Sequence, residues 1–322
     1  MSLYSKFKDL VRNPIRAKLV ISKHIKNISF KTREKPVLII CFDGFKAHGG
    51  LVDRLKGIMS FYETAMQAGI DFKIYHKVPY ELTHFLIPHQ YDWIATEEDM
   101  KWNPFSTKFL YAIQDFEMHP LKKVKRGFCK TFFVYNNVDF FNKLLPDKSD
   151  EERKAHWSLR FKQLFKMSPF LQEAINNLNM PEKTLAIHTR FISIVGDFVD
   201  NTPLGVLSNQ ERNQLFDDLV KAIEKSKENY TDGQVFIFSD SITYLNFIRE
   251  NTSYQVLKGI PLHPDNWSHK YELEQHLKTF LDFFAIAKCT DIILIRRSFM
   301  HPSAYPLYAS YINNAIFKEI II

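Results

Sequence analysis

The sequence predicts an α/β protein made of two parallel-sheet domains, and three observations carry that reading. After Pro181, strand-like runs alternate with helical periodicities: strand over Leu185–Phe191, helix over 207–227, strand over 234–239, helix over 242–250, strand over Tyr254–Leu257, helix over 271–288 and strand over 291–295. Such alternation is what βαβ units on a parallel sheet require. A less regular version begins at Pro36, where a buried strand through Phe42 precedes a helix over 51–68 and a strand over 71–76. Polar residues also gather where the apolar runs stop, which is where open α/β sheets bind ligands. The expected architecture is therefore two Rossmann-like domains facing a cleft, residues 36–180 and 181–322, joined near Asn179–Pro181.

A chain of 322 residues has room for two such cores, and a composition that is 45% hydrophobic and 15% aromatic leaves no disordered half. Cys41, Cys129 and Cys289 are odd in number and widely spaced. They draw neither a disulfide framework nor a zinc pattern, so reduced cysteines and a cytoplasmic location are expected. The N-terminus lacks the apolar core of a signal peptide, and no apolar run reaches transmembrane length.

The net charge of +7 is unevenly distributed. Residues 1–35 hold ten Lys or Arg against Asp9 and Glu34, or +8, which leaves about −1 for residues 36–322. A nearly neutral body argues against a nucleic-acid partner. In the basic arm, Leu3, Phe7, Leu10 and Val11 share a helical face flanked by Lys6, Lys8 and Arg12. Asn13–Pro14 looks like the start of a second helix, with Ile15, Leu19 and Ile25 on its apolar side. Residues 1–35 thus form a basic amphipathic N-terminal arm suited to an anionic membrane surface, which would make the protein peripheral on the inner face of a membrane. The competing reading is a surface helix docked on the body, or a tail.

Gly49–Gly50 precede the helix at Leu51, whose apolar stripe runs through Leu55, Ile58, Met59, Tyr62 and Met66. Two glycines there let backbone approach a ligand, and the helix start offers N–H groups to an anion. Asp53 also suits the first helical turn for its own sake. His84 and His89 have the wrong spacing for a metal site. Lys122, Lys123, Lys125, Arg126 and Lys130 precede the strand-like Phe132–Tyr135 and read as a solvated face or as the holder of an anionic acceptor. Helices are expected over Asp150–Phe165 and Phe170–Leu178.

The stretch around which the chain is organised is Leu185-Ala186-Ile187-His188-Thr189-Arg190-Phe191. In a strand, His188 and Arg190 leave by the same face. Arg190 offers a fork of donors that fits a phosphate, and His188 adds a second donor or a proton carrier. Alternatively the two cap the strand and pair with carboxylates. No Asp-x-Asp, G-x-G-x-x-G, P-loop or G-x-S-x-G occurs, so dehydrogenase, P-loop kinase and hydrolase readings lose their support. A diphosphate leaving group neutralised by side chains and helix N-termini would use what remains.

Four motifs, in order, are Gly49-Gly50-Leu51-Val52-Asp53-Arg54-Leu55-Lys56-Gly57, His188-Thr189-Arg190, Phe238-Ser239-Asp240-Ser241 and Lys278-Thr279-Phe280-Leu281-Asp282-Phe283-Phe284. The set resembles GDP-fucose-dependent fucosyltransferases and related bacterial glycosyltransferases. That resemblance implies a GT-B fold with an N-terminal acceptor domain and a C-terminal donor domain. It implies inverting, metal-independent transfer with no cofactor beyond the GDP-sugar substrate. It puts Arg190 on the donor pyrophosphate with His188 beside it, Asp240 and Ser241 at the nucleotide pocket, and Asp282 on the guanine N–H groups. Ser298 and Ser303 would match a serine-bearing helix start near the phosphates. Gly50, Asp53 and Arg54 would approach from the other domain, with Asp53 among the catalytic candidates.

Phe191 stands where the family often has a second Arg, and Gly196–Asp197 come later than its Gly-Asp, so the role of Asp197 is open. His263 is a further polar candidate. The expected reaction transfers fucose from GDP-fucose to a glycan or lipid-linked saccharide, as in polysaccharide biosynthesis. The alternatives are another nucleotide-sugar donor on the same fold, or a catalytically inactive saccharide-binding protein.

Overall fold

The computed structural model describes residues 18, 21–45, 47–124, 128–198, 205–228, 230, 233–265 and 272–322. Most of the basic arm, and Lys125 and Arg126 of the basic cluster, lie outside them. The chain divides into two compact units, one comprising residues up to Thr83 with Ile87–Lys166, the other His84–Leu86 with Met167–Ile322.

In the first unit, β1 (Val37–Phe42) is followed by α1 (Leu51–Ala68), β2 (Asp71–His76), β3 (Leu86–Pro88), β4 (Thr107–Ala112), the short α2 (Pro120–Lys123), β5 (Thr131–Asn136), the short α3 (Phe141–Leu144), α4 (Asp150–Leu164) and β6 (Phe165–Met167). The main sheet has the order β2-β1-β5-β4 and every pair is parallel. All six residues of β1 and of β5 are buried, as expected for parallel strands covered on both faces. Helix α1 spans the expected residues 51–68, starting after the expected glycines and ending at Gly69, which caps it in the left-handed conformation. Its fit against β5 requires Gly57, because a Cβ there would lie 2.3 Å from the Asn136 carbonyl oxygen.

The second unit continues with α5 (Pro169–Asn176), β7 (Thr184–Thr189), α6 (Asn209–Lys227), β8 (Gln234–Ser239), α7 (Ile242–Asn251), α8 (Leu273–Lys288), β9 (Asp291–Arg296), α9 (Ala304–Asn313) and β10 (Ile316–Ile321). Its sheet has the order β10-β9-β7-β8, again parallel throughout. Leu185, Ile187, Phe216, Leu219, Val235, Ile237, Leu245 and Ile293 form much of its core. Phe85 belongs here, stacked on Phe280 with ring centroids 4.1 Å apart.

The structure corrects the expected pattern in three places. Tyr254–Leu257 makes only an isolated bridge, Gln255 to Phe236, before the chain turns at Gly259. The strand expected to reach Phe191 stops at Thr189. Finally, β4 and β10 were not foreseen, β10 being a largely exposed edge strand without an apolar face to read, whereas α9 begins at Ser303, where the resemblance put a serine-bearing helix start.

Candidate functional site

In the second sheet the chain leaves β7 toward β8 on one side, whereas β9, paired to β7 on the other, leads on to β10. The carboxyl ends of β7 and β9 therefore flank a topological switch point, where doubly wound sheets open a crevice for ligands. His188, Thr189 and Arg190 end β7 there, and the turn after β9 leads through Arg297 and Ser298 to Ser303.

Asp240, just past β8, shapes this end of β7. Its two carboxylate oxygens accept the backbone N–H groups of Phe191 and Ile192, each at 2.8 Å. Ile192 takes a positive φ of 56°, so the chain turns sharply and Phe191 drops into the core against Phe216 and Tyr244. Arg190, released from the strand, keeps its side chain partly exposed with Nε 3.9 Å from Asp240 Oδ2. Asp240 thus acts on the site by positioning Arg190.

Burial raises the Asp240 pKa to about 6, against the two backbone N–H bonds and the charge of Arg190. The fold favours its neutral form, a contribution complete below the ordinary carboxylate range and lost as pH rises through about 6. A protonated carboxyl cannot accept both backbone bonds equally well. If the site takes the GDP-fucose that the sequence resemblance implies, its affinity is expected to fall about 3- to 10-fold as pH drops below Asp240's pKa, the equivalent of one ordinary hydrogen bond. The sugar diphosphate has no terminal phosphate to titrate in that range, and calorimetry with Asp240→Asn should give a flatter pH profile.

His188 is buried, and its ring lies 5.7 Å from that of Tyr305 near the start of α9. Its Nδ1 has no hydrogen-bond partner among the described residues. Burial, with Arg190 alongside, lowers its pKa to about 3. The imidazole is therefore neutral near pH 7, and the stability associated with this is lost as pH falls from the ordinary histidine value toward about 3. Of the two roles expected for His188, a neutral hydrogen-bonding group fits this state.

Helix starts at this end of the sheet include those of α6, α7 and α9. That of α7 is occupied: Asp197 Oδ2 accepts from Ser241 Oγ at 2.9 Å and from Thr243 N at 2.7 Å, while Ser241 Oγ accepts from Tyr244 N. Asp197 thereby has a structural task, and Ser241 is fully buried. At α9, Ser303 is the N-cap, accepting from Tyr305 N, and Ser298 lies exposed in the preceding turn. The site at this end thus combines Arg190, His188 and the start of α9. A cavity of about 410 Å³ lies beside the turn after β9, with Arg297, Asp218 and Phe299 among its lining residues.

Asp282 lies in α8 with both carboxylate oxygens on Lys278 Nζ, at 2.5 and 2.6 Å. Burial raises its pKa against the lysine charge. Guanine N–H groups would have to compete with this buried ammonium. His263 lies near the Phe198 ring, 6.0 Å between centroids.

In the first unit Arg54 is 1% exposed. Its Nε donates to Gly49 O at 3.1 Å, and Nη1 reaches Val78 O at 2.7 Å and His76 Nε2 at 3.2 Å. His76 Nδ1 faces Tyr80 O, which can only accept, so Nδ1 carries the proton and Nε2 accepts from Arg54. Arg54 therefore fastens the Gly49–Gly50 turn to β2, a task different from the expected approach to a nucleotide. Asp53 is half-exposed and pairs with Lys56 at 3.1 Å, and Gly50 presents backbone at the α1 start.

The carboxyl ends of β1 and β5 hold a polar group that the sequence reading missed. Tyr135 Oη donates to Asp43 Oδ2 at 2.8 Å, so His24 Nε2, 2.8 Å from Tyr135 Oη, must donate to that hydroxyl oxygen. His48 stacks on Tyr135, 3.9 Å from Asp43 at its nearest, and neither ring nitrogen has a hydrogen-bond partner among the described residues. The available signal was Asp43 immediately after the first strand. Among the described residues no three His, Cys, Asp or Glu side chains form a potential metal-binding group.

Two parallel-sheet units with polar groups at the carboxyl ends of the strands make a GT-B-like α/β fold. The same fold is found in the NodZ α-1,6-fucosyltransferase co-crystallized with GDP, at 14% identity over 86% of this chain and 92% of that one, with a TM-score of 0.51. NodZ soaked with GDP-fucose matches at 13% identity over 87% and 93%, TM-score 0.51, and NodZ from Bradyrhizobium at 14% over 86% and 92%, TM-score 0.50. No family model and no curated protein matches the sequence.

Proposed function

We propose that this protein is a glycosyltransferase that moves a sugar, fucose, from GDP-fucose to a glycan or lipid-linked saccharide. One observation carries the reading: Arg190, His188 and the Ser303-capped helix meet at the switch point of the second sheet in a chain whose fold is that of a fucosyltransferase. In this reading the second unit binds the donor. Arg190 holds the diphosphate through charge-assisted hydrogen bonds, His188 contributes a neutral one, and the N-terminus of α9 faces the same negative charge. As the sugar–oxygen bond breaks, positive charge grows on the sugar and negative charge on the departing diphosphate. Arg190 stabilises the latter more strongly in the transition state than in the ground state. Attack by the acceptor hydroxyl from the opposite face inverts the anomeric centre. The first unit binds the acceptor, with Asp53, Gly50 and the Asp43–Tyr135 group as its polar candidates.

The missing Asp-x-Asp supports neutralisation of the leaving group by protein donors alone. Release of GDP from GDP-fucose should therefore persist in EDTA with little loss. Activity abolished by EDTA and restored by Mn²⁺ or Mg²⁺ would show that a metal shares the task.

A further inference from the structure

Three phenylalanines of the first unit are held in water: Phe30 is 75%, Phe105 82% and Phe128 93% exposed. They share one end of the sheet. Phe105 and Phe128 sit just before β4 and β5, and Phe30 lies in the segment leading to β1. The first residues of these strands are in register, Val37 opposite Thr131 and Thr131 opposite Thr107. Backbone hydrogen bonds tie the entry segments together: Val37 N to Lys130 O at 2.9 Å, Lys130 N to Ser106 O at 2.6 Å and Ser29 N to Trp102 O at 2.8 Å. Asn103 Nδ2 adds a bond to Phe30 O at 2.9 Å. Ile28, 40% exposed and bridged to Trp102, extends the apolar surface. Because the strands are parallel, this end is opposite the one that carries Asp43 and Tyr135.

Lysines predominate in the segments that carry these phenylalanines. The windows 10–33, 100–114 and 118–138, each containing one of these phenylalanines, include no Asp or Glu, whereas Lys26, Lys31, Lys101, Lys108, Lys122, Lys123 and Lys130 fall within them. Of the acids at this end, Asp99 pairs with Arg33 at 3.1 Å, Glu98 with Lys101 at 2.5 Å and Asp92 with Lys73 at 3.8 Å, while Glu34 and Asp71 line a pocket with Arg33 and Lys35. The first window also runs on from the basic arm. Aromatic tips ringed by lysines match a membrane interface, where the rings enter the headgroup region and the ammonium groups meet anionic lipid.

We propose that this end of the first unit docks on an anionic phospholipid bilayer, with Phe30, Phe105 and Phe128 inserted. The basic cluster around Lys122 and Lys123 thereby acquires a lipid-facing function that does not rest on the transfer reading. The test uses the full-length chain and vesicles of phosphatidylcholine with or without phosphatidylglycerol. Binding should require the anionic lipid, weaken with salt, and fall roughly 10-fold or more in a Phe30→Ser, Phe105→Ser, Phe128→Ser variant. An unchanged melting temperature in that variant would show the loss to be local. Phe105→Trp and Phe128→Trp, made singly, should each add fluorescence that brominated lipid quenches beyond the parent's level. Vesicle binding without added quenching, or undiminished in the triple serine variant, would overturn the proposal and assign attachment to the arm alone.

Discussion

Arg190→Ala is expected to weaken GDP binding about 10- to 150-fold, since each charge-assisted hydrogen bond lost is worth about 1.5–3 kcal/mol and about 1.4 kcal/mol corresponds to a decade. Turnover of GDP-fucose should fall further, because charge on the diphosphate grows toward the transition state. Arg190→Lys restores only part of the loss, as an ammonium keeps the charge without the planar fork. Guanosine has no phosphates, so its binding should be nearly unchanged by either substitution. A uniform loss of guanosine and GDP affinity, with a lowered melting temperature, would instead make the contact with Asp240 the main task of Arg190.

Arg54→Ala is expected to destabilise the first unit by about 2–4 kcal/mol in urea unfolding, because His76 Nε2 would be left buried, and Gly49 O and Val78 O partly buried, without their donor, at up to about 1–3 kcal/mol each. Arg54→Met keeps most of the volume but supplies no donor, so it should remain nearly as unstable. If Arg54→Met were as stable as the parent, packing alone would account for the residue. His76 provides a second readout. Burial, then the charge of Arg54, holds its pKa well below the ordinary value, and losing that charge should raise it, observable by NMR titration.

How much of this was legible depends on how local the cause is. Helix α1 could be read because the Gly49–Gly50 pair at its start and its apolar stripe are local, and β8 because its residues match a buried strand. The end of β7 could not, because Phe191 looks like one more strand residue while its N–H is taken by Asp240, 49 positions away. Arg54 looked like a ligand-facing charge for the same reason: its acceptors at 76 and 78 lie on another strand. Asp282 differs. Its partner Lys278 is four residues earlier in the same helix, so the pairing is local and its spacing is visible in the sequence. The site at the ends of β7 and β9 needed strand order, which periodicity does not encode.

The central claim is that a GDP-sugar is held at the switch point of the second sheet. Electron density for GDP soaked into crystals of the full-length protein tests it most directly. The account predicts the diphosphate at the carboxyl ends of β7 and β9, within hydrogen-bond distance of Arg190 and facing the start of α9. GDP bound elsewhere, or with its diphosphate out of reach of Arg190, would contradict it.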